Sequence, residues 1–535
     1  MESSSISSVS EERKIPDSPI SLGLNRFRSW RPFQRETINF ALNSKKKVVM
    51  IDAPTGSGKS ILGMAIARFY PSSIYTCTTK DLQDQLVNDF PDIPVLKGRS
   101  NYPCKSPDVE KGTTAEDCPL KHLKEKDRIE KSSCIAKCLY LAPKRKAVKA
   151  QTCILNVSYF LSEANFVGEF SKKSLVVIDE ADRLESELMR FIEVTISQRT
   201  LDYLQVGLPK YKTKFESWKE WAMECLPVID ARIKFLERSF EDFLKGSKPQ
   251  FRLYSLLTGL RWKMELFVKK VDKNWVFIDR GASWIFKPVW IREFCKDYLF
   301  RHAQKFIFMS ATILSPSNLA YVLGLNREDW DYISIPSQFD VDTRKVYYLP
   351  TANIIRKSRE EEMPKLIPVI GKILKERPDK KGLIHTVSYQ NARYLMDHLK
   401  DSRLIIHDSN DRSSMLQRFI RSDYPLVIIS PSMDRGIDFK YDLCSFIIII
   451  KLPYADLSDK QISTRVYSSR YGQEWYAWIT ACTIVQMSGR ATRAYDDFSE
   501  TFILDEQFAK FYKNYHKLFP NWWKEALTIK DMDQD

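Results

Sequence analysis

Glycine and proline are scarce in this 535-residue chain: 17 and 25 residues, together under a tenth of the sequence. That composition excludes a low-complexity or largely disordered polymer. Long apolar runs are missing as well. The longest aliphatic stretch, Phe446 to Ile450, falls far short of the ~20 residues that span a bilayer. The first 20 residues, MESSSISSVSEERKIPDSPI, are polar and serine-rich without an apolar core, so the sequence predicts a disordered tail over 1–20, no signal peptide and no membrane segment. Ten cysteines without a secretory signal point to a reducing compartment and to no structural disulfides. The expectation is a cytoplasmic protein with access to nucleoid or nucleus.

The chain is long enough for three or four folded units. Its formal net charge of +15 raises the expectation of a polyanionic partner. Short β-branched runs recur at Val48–Ile51, Leu175–Ile178, Phe306–Met309, Leu383–Ile384, Leu426–Ile429, Phe446–Ile450 and Phe502–Leu504. Their continuous rather than alternating apolarity predicts strands buried on both faces, as in parallel sheets covered by helices. Three runs precede residue 310 and four follow 380, with a polar, proline-containing stretch at Ser334–Gln338 between them. The fold class is therefore α/β, with two domains in tandem over 21–335 and 336–535. Two segments interrupt the first. Residues 97–150 hold 14 basic and 7 acidic side chains and four cysteines; residues 205–290 hold 17 basic and 10 acidic side chains and six of twelve tryptophans. Phe215, Trp218, Trp221, Ile229, Ile233 and Leu236 lie at helical spacing, so the second segment reads as amphipathic helices whose tryptophans are core.

After the strand ending at Asp52 comes Ala53-Pro54-Thr55-Gly56-Ser57-Gly58-Lys59-Ser60 and then a helical pattern. Such a loop lets backbone N–H groups of Thr55, Gly56, Ser57 and Gly58 curl round phosphate oxygens, with the positive end of the helix behind them. Lys59 would reach the β and γ phosphates and the Ser60 hydroxyl would ligate magnesium. Ala53 stands where the generic pattern has its first glycine. Leu175 to Ile178 is followed by Asp179-Glu180-Ala181-Asp182: Asp179 can hold magnesium and Glu180 can polarise the attacking water. The cations that meet charge developing on the γ-phosphate are sought in the second domain, in Gln486-Met487-Ser488-Gly489-Arg490-Ala491-Thr492-Arg493. Residues i and i+3 share a helical face, so Arg490 and Arg493 can point into one cleft.

This constellation resembles superfamily 2 helicases of the XPD/DinG-like group over about residues 25 to 510. Arg31-Pro32-Phe33-Gln34 looks like the adenine-recognition element, with Gln34 on the base. The phosphate loop and Asp179-Glu180 match motifs I and II, and Ser310-Ala311-Thr312 matches motif III. Thr78-Thr79-Lys80 with Leu82 to Gln85 resembles motif Ia. His385 to Tyr389, Ser430 to Asp438 and Gln486 to Arg493 follow the order of motifs IV, V and VI. The resemblance implies two tandem RecA-like motor domains, ATP and Mg2+ as cofactors, and Gly436 and Asp438 among the nucleotide-binding residues. Two positions depart from the family pattern: Asp182 where a histidine is usual, and Arg435-Gly436 where a Glu-Gly pair is usual.

Cys104, Cys118, Cys134 and Cys138 all lie in the first insert. Four thiolates can hold a [4Fe–4S] cluster or zinc, and count alone leaves both open. The resemblance implies iron, because XPD-like proteins carry a four-cysteine cluster domain between motifs Ia and II; it also implies an arch domain for the helical insert. His122 reads as solvated, and Cys77, Cys153, Cys225, Cys295, Cys444 and Cys482 as buried thiols. Lys59, Asp179, Glu180, Gln486, Arg490 and Arg493 are the catalytic candidates. The expected function is an ATP-dependent helicase moving 5′ to 3′ on single-stranded or forked DNA as a monomeric motor, with repair suggested by the resemblance. An RNA-remodelling ATPase and a fork-binding ATP switch without unwinding are the competing expectations.

Overall fold

The computed structural model describes residues 14–105, 110–118, 138–239, 247–433, 443–489 and 498–529. Arg435, Gly436, Asp438, Arg490, Arg493, His122 and Cys134 lie outside them. Among the described residues the strands form three sheets. The first contains β1 (Val48–Asp52), β2 (Ser73–Cys77), β3 (Val95–Leu96), β4 (Thr152–Asn156), β5 (Lys173–Asp179), β9 (Ala303–Ser310) and β10 (Trp330–Ser334). Their order is β10-β1-β9-β5-β2-β4-β3, parallel throughout. The second contains β11 (Val346–Ala352), β12 (Gly382–His385), β13 (Leu404–Ile406), β14 (Val427–Ser430), β15 (Phe446–Ile449), β16 (Glu500–Asp505) and β17 (Leu527–Ile529). It runs β13-β14-β12-β15-β16-β11-β17, again parallel. All seven apolar runs noted in the sequence are strands. Each parallel sheet has a buried apolar cluster on both faces, as doubly covered sheets require. No helix among the described residues is long and apolar enough to cross a membrane.

The second insert departs from an all-helical reading. Its helices Phe215–Ser239 and Lys248–Lys270 are followed by β7 (Trp275–Asp279) and β8 (Ser283–Pro288), an antiparallel hairpin that pairs with β6 (Val194–Ser197). The hairpin turns at Gly281, whose φ of 78° suits glycine. Along β8 burial alternates, with Trp284 and Phe286 inward. Trp218, Trp221, Trp275 and Trp284 are all buried in the insert's own core, so these four are packing residues rather than an exposed stacking surface.

The described residues nearest each end of the chain are packed against their domains. Within the expected tail, Ile15 is buried, Trp30 Nε1 donates to the Pro16 carbonyl at 2.9 Å, and Ser18 caps a short turn over Pro19–Leu22. At the other end β17 adds to β11, and Trp523, 1% exposed, donates from Nε1 to Ser488 Oγ at 2.7 Å. The Trp522-Trp523 region is therefore a packed cap on the second domain. Truncating a buried tryptophan costs about 3–5 kcal/mol, so Trp523→Ala should lower the stability of the second domain by that amount, read as a fall in its urea midpoint at unchanged m.

Candidate active site

Three strand ends come together at the carboxyl edge of the first sheet. Asp52 ends β1 beside Ser310 of β9, and Asp179 ends β5 beside Met309. This edge is where open α/β sheets bind ligands. The Ala53–Ser60 loop leaves β1 there and enters the Lys59–Arg68 helix through Gly56 and Gly58, with φ of 79° and 80°. The helix start has no side-chain cap, so its first-turn amides keep their donors for an anion. The buried Ser57 hydroxyl has no hydrogen-bond partner among the described residues, a cost that a phosphate oxygen would remove. Lys59 Nζ donates to the Ala53 carbonyl at 3.1 Å.

Arg31 and Gln34 brace this loop. Gln34 is 1% exposed; its Oε1 accepts the Arg31 N–H at 2.9 Å, and its Nε2 donates to the Ser57 carbonyl at 2.9 Å. Arg31 reaches the Gly56 carbonyl. A Cβ on Gly58 would stand 2.5 Å from Gln34 Nε2 and displace that amide from the loop, and the φ of 80° itself favours glycine.

The acidic pair is set by contacts that no sequence motif announces. Tyr75 donates its hydroxyl to Asp179 Oδ2 at 2.7 Å, and Thr78 donates to Glu180 Oε2. Burial raises the Asp179 carboxyl above its ordinary range, with Lys59 and the Tyr75 hydrogen bond opposing; a divalent cation at this carboxylate would reverse that shift. Glu180 has a φ of 53°, a left-handed conformation of the kind that collects at functional sites. Thr79, by contrast, caps the Lys80–Asp89 helix.

Asp182, the position that departs from the family pattern, is the hub of the cleft. It accepts from Ser310 Oγ at 2.6 Å and, through Oδ2, from Gln486 Nε2 at 2.6 Å. Gln486 Nε2 also donates to Thr312 Oγ1 at 2.6 Å. Residues from motifs II, III and VI therefore share one hydrogen-bonded group across the two motor domains. The Gln486 Oε1 is buried without a partner among the described residues. Arg490 and Arg493 follow on the same chain segment, outside the described residues.

The described cysteines of the first insert are sorted from the others by exposure. Cys104, Cys118 and Cys138 are half-buried, while Cys77, Cys153, Cys225, Cys295, Cys444 and Cys482 are buried. Accessible thiols in one insert suit a thiolate-bound group. Among the described residues no three His, Cys, Asp or Glu side chains converge on a metal position. The insert is anchored at two places. Its 110–118 segment docks on the Lys248–Lys270 helix through Arg252 to Asp117 at 2.7 Å and Lys248 to the Gly112 carbonyl at 2.8 Å. Its stem holds a buried cluster: Lys144 pairs with Glu163 at 2.8 Å and Arg99 with the same carboxylate at 3.0 Å. Burial alone would raise Glu163, but Lys144 and Arg99 hold its carboxyl below the ordinary range.

The sequence compares with known proteins along both motor domains. A DEAD/DEAH box helicase model matches residues 31–209, and a Helicase C-terminal domain model matches residues 370–526. The chain is 19% identical to ATP-dependent DNA helicase YoaA of Escherichia coli (strain K12), over 92% of this chain and 93% of that protein. A YoaA from Haemophilus influenzae is 20% identical over the same shares. A solved XPD helicase superposes with a TM-score of 0.63 at 17% identity, covering 94% of this chain and 99% of that one. The chain is an XPD/DinG-like superfamily 2 helicase. Its tandem RecA-like motor fold follows from the two parallel sheets and that superposition. Within this helicase, Asp52 was missed by motif reading: its buried carboxylate accepts the Leu314 N–H at 3.0 Å and the Tyr332 hydroxyl at 3.3 Å.

Burial pushes Asp52 up to about 6 from 3.8. The folded state therefore favours its protonated form, and the stability it contributes declines as pH rises from about 4 through 6. Asp52→Asn keeps an acceptor for Leu314. It should remove that part of the slope and gain roughly 1–3 kcal/mol over wild type above pH 6, read as the difference between urea midpoints across pH.

Proposed function

We propose that this chain is an ATP- and magnesium-dependent DNA helicase that translocates 5′ to 3′ on one strand and separates duplex ahead of it. The observation that carries the proposal is the Gln486 amide of the second motor bonded to Asp182 and Thr312 of the first. This contact makes closure of the cleft a condition for assembling the catalytic group, as a motor that couples hydrolysis to movement needs. The names of the curated relatives, ATP-dependent DNA helicases, support DNA as the substrate.

In this mechanism the Thr55–Gly58 amides, Lys59 and the Ser57 hydroxyl bind the phosphates, and Arg31 and Gln34 hold the loop beside the base. Asp179 and Ser60 would hold magnesium, which supplies charge neutralisation on the phosphates when bound. Glu180, oriented by Thr78, accepts the proton of the attacking water. Gln486, Arg490 and Arg493 meet the developing charge from the second domain, with Gly436 and Asp438 contributing from motif V. Cys104, Cys118, Cys134 and Cys138 would hold a [4Fe–4S] cluster, and that group would tie the insert's segments together. The two basic inserts flank the strand's path, so binding rests on phosphate contacts and weakens steeply with salt.

The test uses two duplexes that differ in carrying a 5′ or a 3′ single-stranded tail. ATP-dependent separation from the 5′ tail, lost in Glu180→Gln, is the expected result. Separation from the 3′ tail alone would refute the polarity. Hydrolysis stimulated more by RNA than by DNA, with neither duplex opened, would replace this function with RNA remodelling.

A further inference from the structure

Two consecutive helices of the second motor, Lys460–Ser468 and Arg470–Ser488, form an elbow against the first motor. Its outer arm grips the base of the helical insert. Arg465, buried, lies between Trp290 of the first motor and Trp475 of the elbow, 4.5 and 4.6 Å from their ring centres. Its guanidinium pairs with Glu185, three residues beyond Asp182, and donates to the Val289 carbonyl. Trp475 Nε1 donates to the same Glu185 at 3.2 Å. Gln461 donates to the Pro288 carbonyl at 2.6 Å, and Asp459 pairs with Lys287 at 3.5 Å. Pro288 and Lys287 belong to β8, the central strand of the sheet that carries the insert.

The inner arm ends at the reaction centre. Trp478 Nε1 donates to the Ile313 carbonyl at 2.8 Å, Cys482 Sγ to the Thr312 carbonyl at 3.2 Å, and Gln486 reaches Asp182. The two arms meet backbone to backbone. A Cβ on Gly472 would stand 1.6 Å from the Arg465 carbonyl oxygen, so the elbow has no slack for bending at that joint.

We propose that this elbow is a positioning device in which Arg465 and Trp475 relay the placement of the insert base to Gln486, so that a strand held under the insert raises the hydrolysis rate. The inference rests on the proposed function, since it takes single-stranded DNA as the ligand that shifts the insert. Arg465 is buried between two indoles and acts through Glu185, Trp475 and the rigid helix behind it. A planar guanidinium between two indoles combines cation attraction with a fixed hydrogen-bond fork, which lysine cannot reproduce. A coupling free energy of the usual size between two such sites corresponds to a rate or affinity change of about 5- to 150-fold.

The experiment measures ATP hydrolysis by the full chain with and without single-stranded DNA, for wild type, Arg465→Lys and Trp475→Phe. Trp475→Phe keeps an aromatic ring in the core and removes the Nε1 donor, so it tests the relay even if the arginine variant unfolds. The expected result is basal hydrolysis within about twofold of wild type and stimulation reduced about tenfold, with DNA affinity unchanged. Stimulation equal to wild type in both variants would overturn the relay. So would an equal fall of basal and stimulated rates, which marks a purely structural role. A wild type that single-stranded DNA does not stimulate would instead refute the proposed function, and the relay with it.

Discussion

The Arg470–Ser488 helix carries apolar side chains on nearly every face, and the arrangement of the two motors depends on it. Trp475, Trp478 and Cys482 pack into the core of the first domain, while Ala477, Ala481, Ile484 and Val485 pack into the core of the second. A helix apolar all round is stable only when buried on all sides, and here two domains provide the burial. The helix cannot follow one sheet without drawing on the other. Gln486 and Ser488 sit at its end, where the first touches Asp182 and the second receives the Trp523 indole. The C-terminal cap, the second sheet and the nucleotide edge of the first are in this way linked through one rod.

The chemistry at that edge follows from where parallel strands end. Asp52, Asp179 and Ser310 finish neighbouring parallel strands at the same edge, so loops that are far apart in the chain emerge within hydrogen-bonding reach. Asp182 then collects the hydroxyl of Ser310 and the amide of Gln486. The part-buried carboxylate thus receives one donor from each motor domain, which offsets its loss of water.

Much of this was legible in the sequence because the informative residues are contiguous. The phosphate loop, Asp179-Glu180 and the strands β1, β5, β9, β14 and β15 are unbroken runs whose apolarity or glycine content has a single physical use. β2 and β4 were not legible, since Ser73, Thr76 and Thr152 interrupt their apolarity; the Ser73 and Thr152 hydroxyls satisfy each other at 2.8 Å inside the core. The β7–β8 hairpin was read as helix because its tryptophans and phenylalanines fit either period. Contacts such as Thr78 to Glu180 and Arg465 to Trp290 join residues about a hundred or more positions apart. An arginine on a helix reads as solvent-facing until its partners are placed. Residues 14–20 read as tail because they are polar, although Ile15 and Pro19 bury against the first domain.

The central claim is that hydrolysis depends on the hydrogen bond between Asp182 and Gln486 across the two motors. A double-mutant cycle with Asp182→Ala, Gln486→Ala and the combined variant, read as kcat/KM for ATP, tests it directly. The account predicts that the double variant is no slower than the slower single one, because either change removes the same contact. Losses that multiply, as they do for independent sites, would contradict it.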